Sequence, residues 1–195
     1  MVWPCSGDAW GTVRIPTTAG SYTLERLRVA PRFGTPPDSA TAERMRIEAE
    51  RAAAVSRDAH ITPRLWSSPF LAPRASRITS PFGGGRTFNG AVTSRHMGTD
   101  YAGAVGAPVR AANRGVVRIV DAFTLGGNVV YVDHGEGLVT AYLHLSKQLV
   151  AVGDTVVRGQ PVALMGSTGR STGPHVHFEV LRNGANINPL SFIDP

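Results

Sequence analysis

The sequence predicts an all-β domain of antiparallel sheets behind an N-terminal segment of β-structure and helix. Three observations predict it. Glycine (22) and proline (14) are frequent among the 195 residues, which favours short strands and turns over long helices. From Arg77 onward, short β-branched runs alternate with glycine-rich turns and carry little helical periodicity. The hydrophobic fraction, 42%, suffices for a packed core.

Trp10 to Val29 reads as β-structure: Val13 and Ile15 alternate with polar neighbours, and Tyr22, Leu24, Leu27 and Val29 follow a turn near Ala19-Gly20. Pro36-Pro37 breaks the chain. Asp38 or Ser39 then caps a helix running through Arg44, Ile47, Arg51 and Val55 to about Arg57. Its apolar stripe, Met45, Ala49 and Ala52, is thin, so the helix should lie on the surface of another body. Residues 1–60 form one expected unit. Residues 61–76, with Pro63, Pro69 and Pro73, form an extended linker whose Trp66, Phe70 and Leu71 plug into a neighbouring core. Residues 77–195 form the β-domain. Its expected strands are Arg77-Ser80, Pro108-Ala112, Gly115-Ala122, Asn128-Asp133, Leu138-His144, Pro161-Met165 and His175-Leu181.

The net charge of +6 comes almost wholly from arginine and draws the chain to acidic partners. The basic residues stand singly, without arginine-aromatic interleaving, so a nucleic-acid platform is not expected. No stretch approaches the roughly 18 apolar residues of a membrane span. No basic segment followed by an apolar one opens the chain, so no signal peptide is visible. With Cys5 as the single cysteine, any metal must be held by histidine and carboxylate.

Four of the six histidines fall in informative settings. In His175-Val176-His177-Phe178-Glu179, strand alternation puts His175, His177 and Glu179 on one face and Val176, Phe178 and Val180 on the other. Alone, such a pair marks an exposed sheet face more often than a metal. His96-Met97-Gly98-Thr99-Asp100 adds a nitrogen and a carboxylate oxygen, both good zinc donors. With one histidine of the His-x-His pair they make three protein ligands and leave the fourth position of a tetrahedral zinc open, the catalytic pattern. His144, near the end of an apolar strand, becomes a general base or transition-state stabiliser if a metal is near. His134 reads as a hairpin-turn residue and His60 as a surface residue. Gly169-Arg170-Ser171-Thr172-Gly173 fits a serine-hydrolase elbow in letters only, because Pro174 and a β-pattern follow it instead of a helix.

These motifs resemble, in order and spacing, the lysostaphin-type (glycyl-glycine endopeptidase-like) zinc metallopeptidases. The matching stretches include Ser80-Pro81-Phe82-Gly83, His96-Met97-Gly98-Thr99-Asp100, Tyr142-Leu143-His144-Leu145 and Gly166 through Glu179, and the match covers about 60% of the chain. The resemblance implies a groove of the duplicated-hybrid-motif kind and a single Zn2+ held by His96, Asp100 and His177. It implies His144 and His175 as catalytic histidines, and cleavage of cross-links or stem peptides in peptidoglycan. It also implies a place in the cell envelope, periplasmic or secreted. Arg86-Thr87-Phe88-Asn89-Gly90 resembles a loop bordering the groove in some members, which makes Asn89 a substrate-contact or plugging residue. Residues 1–60 resemble the tail of an accessory domain whose front half is missing. A monomer is expected.

Two rivals remain. Non-catalytic relatives of the same fold activate cell-wall amidases, but have usually lost zinc ligands that are all present here. A carrier domain is suggested by Val152 through Pro161. The lipoyl form lacks its Met-Lys-Met, and a histidine phosphocarrier leaves Asp100 unexplained.

Overall fold

The computed structural model describes residues 22–193, so the strand readings around Val13 and Ile15, and Cys5, lie outside the described residues. The first strand, β1 (Leu24–Leu27), precedes helix α1 (Ser39–Asp58). Then come β2 (Ile78–Ser80), β3 (Gly85–Phe88), β4 (Val92–Arg95), β5 (Thr99–Ala102), β6 (Pro108–Arg110), β7 (Gly115–Phe123) and β8 (Gly127–Gly135). Last are β9 (Leu138–Gln148), β10 (Thr155–Val156), β11 (Pro161–Met165), β12 (His175–Arg182) and β13 (Ala185–Ile187). The main sheet runs β10-β7-β8-β9-β12-β5-β2, with every pairing antiparallel, and β11 joins β9 to β6. A second sheet runs β1-β3-β4, where β1 pairs parallel to β3, a departure from the purely antiparallel expectation.

The two faces of the main sheet have different fates. Val176, Phe178 and Val180 of β12, Tyr142 of β9 and Val130 and Val132 of β8 point into the larger core. Burying a side chain such as Phe178 contributes about 3 kcal/mol. The opposite face carries His175, His177, Glu179 and Leu181, as alternation predicts. Around Leu181 this face is filled: Ile119, Phe123, Val129, Tyr131, Val139 and Ala141 pack against Ala52, Val55 and Ala59 of the helical segment. Around His177 the same face is left to the site.

Helix α1 begins where its cap predicts, with the Asp38 carboxylate accepting from Thr41 N–H at 2.7 Å. Its thin stripe is supplemented by polar ties. Buried Glu48 accepts from the backbone and hydroxyl of Thr124, and Arg51 reaches Asp121 at 2.8 Å. The buried Ser56 hydroxyl donates to Gly137 O and accepts from Gly184 N–H. The 61–76 stretch lies along the main core and is bonded to it, with Leu65 N–H on His134 O and Leu71 N–H on Ala112 O. Phe70 inserts fully, edge-on to Trp66, His134 and Phe192.

His134 is not the turn residue that its Asp-His-Gly context suggests: it ends a wholly buried strand segment and is itself buried. Its Nδ1–H donates to Arg114 O at 2.8 Å, so the neutral ring must accept at Nε2 from the Thr140 hydroxyl, also at 2.8 Å. Tyr142 Oη, 3.0 Å from Thr140, continues the line and accepts from Ala112 N–H. Burial pushes His134 down to about 4, with only partial relief from the Arg114 carbonyl and Asp133. The folded value lies below the unfolded one, so this stability is complete above about pH 6.5 and is lost as pH falls towards 4. The loss should reach about 3 kcal/mol, on the order of 1.4 kcal/mol per unit. Urea unfolding at pH 7 and pH 4.5 should show the fall, and His134→Gln should reduce it, the remainder coming from His144 and His175. An unchanged slope in that variant would place the acid sensitivity elsewhere.

Candidate active site

Three elements bring the expected metal ligands together. The β12–β5 ladder sets His177 directly opposite Asp100. His96 follows β4 and is locked to the glycine loop before β3 by two backbone bonds, His96 N–H to Gly84 O and Gly83 N–H to His96 O. All three side chains are buried, and their ligand atoms form the metal-competent group His96, Asp100 and His177 among the described residues.

The hydrogen bonds decide which atoms face inward. His96 Nδ1–H donates to Pro81 O at 2.7 Å, so its Nε2 carries the lone pair. His177 Nε2–H donates to Glu179 Oε1 at 3.0 Å, which leaves Nδ1 to face the cluster. Asp100 Oδ1 lies 3.0 Å from His96 Nε2 and 2.7 Å from His177 Nδ1, and the two nitrogens are 2.9 Å apart. Two nitrogens and a carboxylate oxygen thus converge with their second atoms already bonded, the arrangement that orients ligands for zinc. Burial opposes the charge on Asp100, yet its contacts with the His177 and His96 rings, and the positive charge that His177 carries without a metal, hold its carboxyl well below the usual carboxylate range. Burial also opposes charging of His177, but Asp100 and Glu179 outweigh it and raise the metal-free ring to about 9, so a metal takes Nδ1 by displacing its proton. The approach is tight at Gly98, where an added Cβ would lie 2.5 Å from Phe178 O and 2.7 Å from His177 Nε2.

Beside this cluster stand His144 and His175, their rings 4.8 Å apart. In a regular β9, His144 would share the core-facing side with Tyr142, because Leu143 pairs with His177. Its backbone instead adopts φ 63°, a left-handed conformation that turns the ring to the opposite face. His144 Nδ1–H donates to Thr168 O and His175 Nδ1–H to Gly173 O, each at 2.8 Å. Both Nε2 atoms are therefore bare in the neutral rings. Burial and the neighbouring His175 and His177 push His144 down to about 3, and burial lowers His175 as well. Two neutral imidazoles with fixed tautomers can accept and return a proton.

The structure adds residues that no short motif announces. Arg86 binds Asp100 Oδ2 at 2.6 Å, the Ser80 hydroxyl at 2.8 Å and Glu25 Oε2 at 2.9 Å, so β1 contributes a carboxylate beside the cluster. Arg170 lines the cavities on both sides of His144. Asn89 is not brought to the site. It sits at the β3–β4 turn with φ 49°, where its amide accepts from Val29 N–H at 3.0 Å and donates to Val29 O at 3.1 Å. The side chain that the resemblance offers to substrate is thus spent extending the pairing of β1 with β3. Asn89-Gly90 is itself a hairpin-turn signal that would have revealed β3 and β4.

The family model "Peptidase family M23" matches residues 94–189, a stretch that contains all five site histidines and acids. The crystal structure of the catalytic domain of the prophage-encoded M23 protein EnpA from Enterococcus faecalis is 35% identical. It matches with a TM-score of 0.51 over 65% of this chain and 93% of that one. The chain belongs to peptidase family M23. A zinc-containing peptidase from Vibrio cholerae is similar as well, at 41% identity and TM-score 0.58, over 62% of this chain and 39% of that one. Peptidoglycan DD-endopeptidase ShyC of the same species is 47% identical over 94 residues, 48% of this chain. The chain covers only 22% of that relative's length, so the likeness is one of the M23 domain.

Within this M23 domain, Glu179 is the carboxylate that fixes the tautomer of His177. Glu179→Ala should weaken zinc binding by about ten- to a hundred-fold, through loss of the anchor on His177. Competition with a chromogenic chelator measures it, and an unchanged affinity would mean that the strand positions His177 unaided.

Proposed function

We propose that this chain is a zinc-dependent endopeptidase that hydrolyses cross-links or stem peptides of bacterial peptidoglycan. One observation carries the reading: three lone pairs, on His96 Nε2, His177 Nδ1 and Asp100 Oδ1, converge beside two imidazoles whose Nε2 atoms are free. The donor set fits one Zn2+ with an open position. When bound, zinc supplies Lewis-acid polarisation of the scissile carbonyl and acidifies water towards pKa of about 7.

The protein groups do the rest. His144 and His175 take the proton of the attacking water at Nε2 and hand it to the leaving amine nitrogen. A ring that has taken the proton donates its Nε2–H to the developing oxyanion until it passes the proton on. Thr168 and Gly173 hold the two rings in the tautomer that this requires. Residues 77–195 would be the metallopeptidase unit, residues 61–76 the linker along it, and residues 1–60 part of an accessory unit. Such a substrate places the activity in the cell envelope, periplasmic or secreted. None of the helices among the described residues is long and apolar enough to cross a membrane.

The test is digestion of purified cross-linked muropeptides by zinc-loaded protein, with products weighed by mass spectrometry. Dimers should fall to monomers, a chelator should stop the reaction and zinc should restore it. Intact dimers after incubation with fully zinc-loaded protein would refute the reading in favour of a non-catalytic activator.

A further inference from the structure

Arg170 stands where three cavities meet. One contains His96, His144 and His177, and a second contains Asp100, His144 and His175. The third, of about 640 Å³, is bounded by Arg32, Phe33, Met45 and Phe123. The guanidinium carbon lies over Phe88, 3.9 Å from the ring centroid. The carboxylates lining the first two cavities are all engaged elsewhere. Glu25 binds Ser80 and Arg86, Asp100 binds Arg86 and the two ligand histidines, and Glu179 binds His177 and Asn186. Arg170 thus has no countercharge among the described residues. Burial and the facing Arg86 push it down to about 10.

The loop that presents Arg170 is tied to the turn between β7 and β8. Arg170 N–H donates to Leu125 O at 2.8 Å, and a Cβ on Gly169 would lie 2.3 Å from Gly127 N. Thr168 in the same turn supplies the carbonyl that orients His144. The cation and the free Nε2 of His144 are therefore held as one body.

We propose that Arg170 is a specificity residue that binds a carboxylate on the substrate residue flanking the scissile bond. The inference rests on the endopeptidase reading above and deepens it: the site takes acidic peptides in preference to their amides. A planar, permanently charged fork stacked on an aromatic ring suits bidentate carboxylate recognition. The vacant partner position fits an incoming anion better than a neutral group. Arg86 cannot serve, because Asp100 and Glu25 already neutralise it.

The experiment uses two synthetic cross-linked stem-peptide dimers, identical except that the diamino-acid carboxylate beside the scissile amide is free or amidated. The zinc-loaded chain should prefer the acid by about ten- to a hundred-fold in kcat/KM, as for a hydrogen bond to a charged group. Arg170→Gln should bring the ratio close to one, and Arg170→Lys, which keeps the charge without the fork, should retain part of it. A ratio near one in the unaltered protein, or a preference that survives in Arg170→Gln, overturns the proposal. Calorimetric binding of the same pair separates this from the reading it rests on. If neither dimer is cut but the acid binds more tightly, the carboxylate site stands and the endopeptidase reading falls. Equal binding of acid and amide removes the site.

Discussion

Asp100→Ala is expected to leave the chain folded, nearly free of zinc, and with hydrolysis at background. Asp100 is the only acid of the converging set, and its two oxygens do separate work. Oδ1 meets His96 and His177, and Oδ2 meets Arg86. Removing it leaves two neutral nitrogens on the cation side and the buried Arg86 with Glu25 alone. Two imidazoles are one ligand short of the usual three-ligand catalytic zinc site. Metal analysis after gel filtration should fall from about one zinc per chain to a trace. Muropeptide turnover should vanish in the same sample, and far-UV circular dichroism should show the sheet intact. A variant that keeps both a full equivalent of zinc and its turnover would mean that the metal sits elsewhere.

The second large effect falls on His144. His144→Asn should lower kcat by about 10²- to 10⁴-fold, the usual worth of a positioned general base, while zinc content stays near that of the unaltered chain. Asparagine tolerates the left-handed backbone at this position, whereas alanine adds a conformational cost of about 1–2 kcal/mol to the loss of chemistry. His175→Ala should cost a comparable factor. The double variant should be far less than the product of the two, because the imidazoles serve one proton path. Single-turnover rates with zinc assayed in parallel decide it. Loss of metal in His144→Asn would make that residue a ligand and not a base.

Much of this was legible in the chain. β-branched runs between glycine-rich turns marked β7, β8, β9 and β12, and alternation along β12 put His175 and His177 on one side. Capping chemistry placed the start of α1, and three prolines marked the stretch that carries Phe70 into the core. Other features depend on partners distant in sequence. The parallel union of β1 with β3 joins segments about sixty residues apart, and nothing local in Leu24–Leu27 states its direction. The place of Arg86 follows from that union. The left-handed turn at His144 reverses the side that alternation gives it, because the groove and not the core claims the ring. His134 looked like a turn residue because Asp133 and Gly135 flank it. Its actual fate, a buried relay to Thr140 and Tyr142, depends on cross-strand neighbours and on Arg114.

One face of one sheet serves both the helix and the groove, and this sets a practical limit on shortening the protein. A version trimmed to begin at Arg77 would strip the roof from Ile119, Phe123 and Tyr131. It would also remove the linker ring Phe70 from the heart of the larger core. Freshly bared aromatic surface of that kind drives clumping in storage and during expression. The smallest usable version therefore keeps β1, with Glu25, and everything after it.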